Sequence, residues 1–333
     1  MPLTPPRPLT VLFSSAGRRV ELMHCFRADA SKLGVAIRLL AADANPSMSA
    51  ACQAADHAFR VPPCTSPDFI PHLIELCRRE EVRLLVPTID TELGVLARHR
   101  QDFAAGGTRV AVSSPELVGI ARDKEKTAAF LTSLGILTPR TGTPRDLAEN
   151  PRDWRWPILL KPTGGSSSIG IHTLQGPMDL EHLDWAGGDY IAQEKWAGRE
   201  YTVNLYFDRN SRLRCAIPHH RLEVRAGEVS KGMTERVPEL MAMADTMAAS
   251  VQGAYGALCF QAIVTPERKA AMFEINARFG GGYPLAHYAG AQFSKWLLED
   301  VLGRTSTANN SWRERVTMLR YDAAVFVENA PIE

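Results

Sequence analysis

Over the first hundred residues, short apolar runs alternate with stretches of helical period. Residues 9–14 read as a strand, 20–33 as a helix and 36–42 as a second strand ending at Asp43. Then follow a helix over 67–80, a strand over 83–87, a helix over 90–106 and a strand over 108–113. This alternation predicts an α/β domain over 1–113, a doubly wound parallel sheet wrapped by helices. In such sheets ligands collect at the carboxyl ends of the strands. Ser14-Ser15-Ala16-Gly17-Arg18-Arg19, Asp43 and Thr88-Ile89-Asp90-Thr91-Glu92 therefore mark the binding edge. The first turn either offers amides to an anion at a helix start or is a plain turn with two solvated arginines; it is not a G-x-G-x-x-G fingerprint.

Ser114-Pro115-Glu116 opens the next helix, with a capping residue followed by proline at the first helical position. A helix over about 124–134 ends at Gly135, and 141–157 reads as a linker or short exposed helix. The apolar strand at 156–162 then carries Lys161 and runs into Thr163-Gly164-Gly165-Ser166-Ser167-Ser168-Ile169-Gly170. A loop this rich in Gly and Ser folds its amides around phosphate oxygens without side-chain clashes, and Lys161 brings a charge to the same oxygens. The same composition also suits a flexible hairpin turn.

Further on, the apolar strand at 190–193 meets a polar hinge, Glu194-Lys195-Trp196, and Gly198-Arg199-Glu200 enters a second strand. Such a hinge can present backbone to a purine edge and a carboxylate to ribose hydroxyls; the plainer reading is two surface carboxylates at strand ends. The segment 217–234 carries His219, His220, Arg221, Arg225 and Lys231. It is either an active-site ribbon or a solvated edge hairpin, and Ser230 and Gly232 beside Lys231 favour the first. The two histidines form a pH-sensitive pair or are simply exposed.

The most specific pattern is a pair of strands at 258–264 and 271–276, joined by a turn at 265–269. Their pleat puts Gln261, Glu274 and Asn276 on one face, and Arg278 continues that face. One carboxylate among carboxamides suits Mg²⁺, which keeps waters and completes its shell from phosphates. Phe279-Gly280-Gly281-Gly282-Tyr283-Pro284 is then a mobile substrate loop or a turn leaving that strand. A polar linker from Thr305 and a final strand at 317–327 close the chain.

Composition narrows the class further. With 333 residues, 38 basic against 37 acidic side chains and 45% apolar residues, the chain is long enough for two or three cores and carries a net charge of only +1. Bulk attraction to nucleic acid or an anionic membrane is therefore not expected. No apolar run approaches the roughly 20 residues of a membrane span, and 1–8 lacks a hydrophobic leader core, so a cytoplasmic protein is expected. The six cysteines are scattered without a C-x-x-C pair and read as buried thiols.

Taken in order, Arg122-Asp123-Lys124, Lys161 with its Gly/Ser loop, the hinge from Glu194 to Glu200, and Gln261…Glu274-x-Asn276-x-Arg278 together resemble the ATP-grasp superfamily. The likeness is to stand-alone proteins related to one half of the carbamoyl-phosphate synthetase large subunit, and it spans nearly the whole chain. It implies a pre-ATP-grasp domain over 1–113, a two-lobed α+β ATP-grasp domain over 114–304 with a lid lobe at about 125–195, and a C-terminal linker and strand over 305–333.

The resemblance further implies ATP and one or two Mg²⁺ ions as cofactors. Lys124, Lys161, Gly164, Gly165, Ser166, Ser167, Ser168 and Gly170 would meet phosphates. The backbone at Glu194, Lys195 and Trp196 would meet adenine, and Glu200 the ribose. Gln261, Glu274 and Asn276 would hold metal, with Gln261 standing where many relatives carry an acid, which leaves the ion count open. Arg278, Lys231, Arg221 and Arg225 would face the acceptor and the transferred phosphate as catalytic residues. The implied activity is an ATP-dependent carboxylate–amine ligase working through an acyl phosphate, with an amino acid as a candidate substrate. The alternatives are phosphorylation of bicarbonate or carbamate, and an ATP-binding regulator without turnover. Small-molecule carboxylate and amine partners are expected, with a homodimer left open.

Overall fold

The computed structural model describes residues 7–163, 170–182 and 190–328. The N-terminal elements run β1 (Leu9–Ser14), α1 (Val20–Lys32), β2 (Ile37–Asp43), α2 (Ala50–Ala54), β3 (His57–Arg60), α3 (Phe69–Arg79), β4 (Leu84–Pro87), α4 (Asp90–Arg98), α5 (Arg100–Ala105) and β5 (Arg109–Val110). All five strands pair in parallel in the order β3-β2-β1-β4-β5. The doubly wound sheet expected from the apolar periodicity is present. The order reverses between β1 and β4, so the turns after these two strands flank the crevice where open α/β sheets take ligands. The single helix expected over 90–106 is two, α4 and α5, with His99 between them.

Next come α6 (Pro115–Arg122), capped by the Ser114 hydroxyl, and α7 (Lys124–Ser133), capped by the Asp123 carboxylate. A four-stranded antiparallel sheet follows: β6 (Thr141–Gly142), α8 (Pro144–Glu149), β7 (Ile158–Pro162), β8 (His172–Leu174) and β9 (Tyr190–Glu194), ordered β6-β9-β7-β8. It has its own small core of Leu147, Trp154, Ile158, Leu160, Leu174 and Ala192, separate from the rest of the molecule.

The larger sheet is built from β10 (Arg199–Phe207), β11 (Leu213–Arg225), β12 (Glu228–Thr234), β13 (Gly256–Val264), β14 (Ala270–Asn276) and β15 (Thr317–Leu319), ordered β14-β13-β10-β11-β12-β15. Helices α9 (Pro238–Ser250), α10 (Tyr283–Ala289) and α11 (Phe293–Val301) complete the fold. On this sheet one face is apolar: Tyr201, Val203, Leu205, Phe260, Ala262, Met272 and Ile275 join a core that also contains Leu12, Leu85 and Leu96 of the N-terminal domain. The final strand is shorter than expected. Only Thr317–Leu319 forms a strand, paired with β12; the Arg320 amide still donates to the Ser230 carbonyl of β12 (2.9 Å), and beyond it Tyr321, Val325, Phe326 and Val327 are exposed.

A buried carboxylate also ties α1 of the N-terminal domain to α10 and α11. Asp29 on α1 has no solvent exposure and accepts hydrogen bonds from His287 Nε2 (2.9 Å), Ser294 Oγ (2.6 Å) and the Lys295 amide (3.0 Å). Burial opposes its charge, but these donors and the His287 charge outweigh that and hold its pKa below the ordinary carboxylate value.

Candidate functional site

The polar face of the large sheet is ordered by strand register. Gln261 lies directly opposite Thr202 on one side and Glu274 on the other; Cys259 is likewise opposite Asn204 and Asn276. Cross-strand partners share a face, so two polar rows run across β10, β13 and β14. A bulge just after Gln261 shifts the pairing, placing Phe273 on the cleft side beside Glu274. These rows form one wall of a cleft of about 600 Å³. The small sheet contributes Leu159, Lys161 and Gln193, the hinge contributes Glu194, Lys195, Trp196 and Gly198, and the N-terminal domain contributes Arg19, Thr88 and Asp90.

Lys161 is buried in this cleft at 9% exposure, donates to Gln193 Oε1 at 2.8 Å, and has its ammonium 5.1 Å from the centre of the Phe273 ring. Desolvation lowers its pKa to about 8, against the raising effect of Glu274. Lys124 reaches the same cleft from the start of α7 and donates to the Pro162 (3.0 Å) and Thr163 (3.3 Å) carbonyls. Desolvation lowers its pKa as well.

Arg278 donates to Asp90 Oδ2 at 2.7 Å, to the Phe279 carbonyl at 3.0 Å and to Asn276 Oδ1 at 3.3 Å. Burial works against its charge, yet Asp90 outweighs this and raises its pKa. Arg221 pairs through Nε with Glu200 at 3.0 Å and donates to Thr202 and the Gly227 carbonyl, each at 3.2 Å.

Of the residues singled out from the sequence, Lys124, Lys161, Glu194, Lys195, Trp196, Glu200, Arg221, Gln261, Glu274, Asn276 and Arg278 line this one cleft. Gly170 is exposed with φ of 73°, and Ile171 beside it reaches the cleft. Gly164, Gly165, Ser166, Ser167 and Ser168 lie outside the described residues.

Two expectations need correcting: that Arg225 and Lys231 face the site, and that His219 is exposed or pH-sensitive. Arg225 and Lys231 are not among the residues lining the cleft; they pair on the surface with Asp322 (3.2 Å) and Glu223 (2.7 Å). Strict alternation would have kept Arg221 and Arg225 on one face, but the β11–β12 pairing shifts register between Arg221 and Val224. At the hinge the Glu194 and Lys195 amides donate to the Arg140 (3.0 Å) and Pro157 (2.9 Å) carbonyls, so a purine edge there would meet backbone groups other than these two amides. The glycines at 280–282 serve tight packing. A Cβ on Gly281 would lie 2.6 Å from Glu228 Cδ, and one on Gly282 would lie 2.6 Å from Val229 Cγ1 and 2.8 Å from His219 Nε2. His219 itself is fully buried and bonds Asn204 through Nδ1 (3.2 Å); desolvation lowers its pKa to about 3, so it is neither exposed nor a switch near neutrality.

Gln193 and Glu228 had drawn no individual role. Gln193 sits diagonal to Lys161 across β7 and β9, a relation that exists only once the strands pair.

The donor set at Gln261, Glu274 and Asn276 fits a magnesium ion shared with nucleotide phosphates. It supplies oxygens with one carboxylate, whereas no group of three His, Cys, Asp or Glu side chains gathers among the described residues. No described helix is long and apolar enough to cross a membrane.

Comparison with known proteins agrees with this architecture. Residues 11–111 match a family model described as PylC-like, N-terminal domain, and residues 188–324 match one described as ATP-grasp in the biosynthetic pathway with Ter operon. No curated protein sequence matches. Among solved structures, the chain is similar to the biotin carboxylase domain of Hydrogenobacter thermophilus 2-oxoglutarate carboxylase, a dimer in complex with MgADP and bicarbonate. That match has 14% identity over 91% of this chain and 72% of that one, with a TM-score of 0.71. It is similar to N5-carboxyaminoimidazole ribonucleotide synthetase from Thermotoga maritima, with 16% identity, 91% and 78% coverage and a TM-score of 0.64. It is also similar to an L-amino acid ligase from Bacillus licheniformis, with 14% identity, 92% and 78% coverage and a TM-score of 0.67. The chain has the ATP-grasp fold: a parallel-sheet N-terminal domain followed by antiparallel sheets, the second of which lies within the segment matched by the ATP-grasp family model.

Proposed function

We propose that this protein is an ATP-dependent carboxylate–amine ligase that activates its acid as an acyl phosphate. The observation that carries the reading is that Lys161, from the small sheet, and Gln261, Glu274 and Asn276, from the large one, face a single cleft of about 600 Å³. Cations on one wall and a mixed carboxylate and carboxamide set on the other form the electrostatic environment a triphosphate requires.

In the proposed reaction a carboxylate oxygen attacks the γ-phosphorus of ATP, the bond to the bridging oxygen breaks, and ADP leaves. The amine then attacks the acyl carbon, phosphate departs with the electron pair of the broken carbon–oxygen bond, and the nitrogen loses a proton. Lys124 and Lys161 hold the phosphates, and Arg278, steadied by Asp90, orients the acid. Gln261, Glu274 and Asn276 would hold Mg²⁺, which neutralises charge building on the phosphoryl group when it is bound. No side-chain nucleophile is needed. Glu200, expected beside the ribose, is paired with Arg221 and would have to share it with the nucleotide.

The test is ADP release from ATP with a pool of amino acids, with bicarbonate, and with no acceptor. Release that depends on amino acids supports the ligase. Release driven by bicarbonate alone points to carboxyphosphate chemistry, and nucleotide binding without release points to a regulator; either replaces the proposal.

A further inference from the structure

Arg19 is the N-terminal residue of the site that the ligase chemistry above leaves unused. It sits at the start of α1, a 13-residue helix that follows β1 directly, with no side-chain cap on that helix end. Asp90 opens α4 after the neighbouring strand β4, so the two residues flank the crevice where the strand order reverses.

The guanidinium is removed from water, with 18% side-chain exposure, but poorly compensated. Its contacts are long: Glu228 Oε1 at 3.3 Å and the Thr88 carbonyl at 3.5 Å. Charge-assisted bonds usually close to about 2.7–2.9 Å. Glu228 is also shared, since Arg320 holds its other oxygen at 2.9 Å. Arg278 adds repulsion, which attraction from Asp90 offsets only in part. A desolvated cation with five donors, two of them loosely engaged, at a helix N-terminus and facing an open cleft is the complement of an anion.

On the ligase reading Arg278, on the large sheet, serves the acid being activated, which leaves Arg19, on the N-terminal domain, for a second anion. Resting on the ligase reading, we infer that Arg19 binds an anionic group carried by the amine substrate, so that the amine is a small amino-carboxylate, such as an α-amino acid, or a phosphorylated amine. The incoming anion displaces Glu228 from Arg19 and leaves it paired with Arg320.

The experiment follows ADP release with a fixed donor pool of simple and N-acetylated carboxylic acids, which have no free amine. Three amine pools are compared: L-amino acids, O-phosphoethanolamine, and the primary amides of the same amino acids. One of the two anionic pools is expected to drive release about tenfold faster than the amides, and which one does so identifies the anion. Arg19→Met should raise KM for that amine by about tenfold or more with KM for ATP within about twofold, and Arg19→Lys should fall between. Circular dichroism and melting temperature check that both variants fold. Amides serving as well as anionic amines, or an unchanged amine KM in a folded Arg19→Met, would overturn the inference while leaving the ligase intact. No release with any pool removes the ligase reading and this inference together.

Discussion

Asp90, the first residue of a helix in the N-terminal domain, grips Arg278, just past the end of a strand in the large sheet, at 2.7 Å across 188 residues of sequence. Both side chains are largely buried, at 11% and 14% exposure. One bond therefore joins the two domains at the floor of the cleft and fixes the arginine assigned to the acid. Asp90→Ala leaves a buried guanidinium without its carboxylate, which typically costs about 3–5 kcal/mol. Denaturant unfolding should show that loss, and kcat should fall at least about tenfold. Unchanged turnover would separate the pair from catalysis.

Glu274 is the carboxylate of the three oxygen donors set toward the metal. Glu274→Ala should abolish Mg²⁺-dependent ADP release while the circular dichroism spectrum stays that of the parent, because the side chain projects from the polar face of β14 into the cleft. Full turnover in this variant would refute the metal assignment.

Lys161 ought to impose a pH limit. With its pKa lowered to about 8 by burial, the nucleotide-free protein loses this charge as pH rises through that value. ATP affinity, measured by titration calorimetry, should weaken from about pH 8 upward, and Lys161→Arg should flatten the profile. Stability moves the opposite way. The unfolded lysine keeps its proton up to its ordinary value of 10.5, so the unfolded state binds more protons between about 8 and 10.5 and that contribution grows with pH across this window.

Asp29 predicts the acid behaviour of the domain junction. Its folded pKa is lowered, so its contribution is complete above the ordinary carboxylate value and is lost as pH falls through the folded value. Asp29→Ala should cost about 3 kcal/mol or more at neutral pH by stranding His287 and Ser294, and the difference from the parent should shrink in acid. Urea melts at several pH values test both statements.

Gly282 is constrained by its neighbours. Gly282→Ala drives a methyl against Val229 and His219 and should lower the melting temperature by several degrees, with overpacking of this kind costing about 1–3 kcal/mol. A fully stable variant would show that the loop can move away at no cost.

Local chemistry by itself determined a good deal here. Alternation of apolar runs announced the parallel sheet, and strand ends pointed to Arg19 and Asp90. The two-residue spacing of Glu274 and Asn276 put both on one face, because a pleated strand leaves no other choice. Tertiary structure alone decided which charges work together. Arg221, Arg225 and Lys231 look equivalent in sequence, yet Arg221 faces the cleft while Arg225, beyond a register shift on the same strand, and Lys231, on β12, take surface partners. The pairings Lys161–Gln193, Asp90–Arg278 and Arg19–Glu228 join residues from different elements and leave no periodic trace along the chain. Periodicity reports which face a side chain takes, and only packing of one sheet against another reports what that face meets.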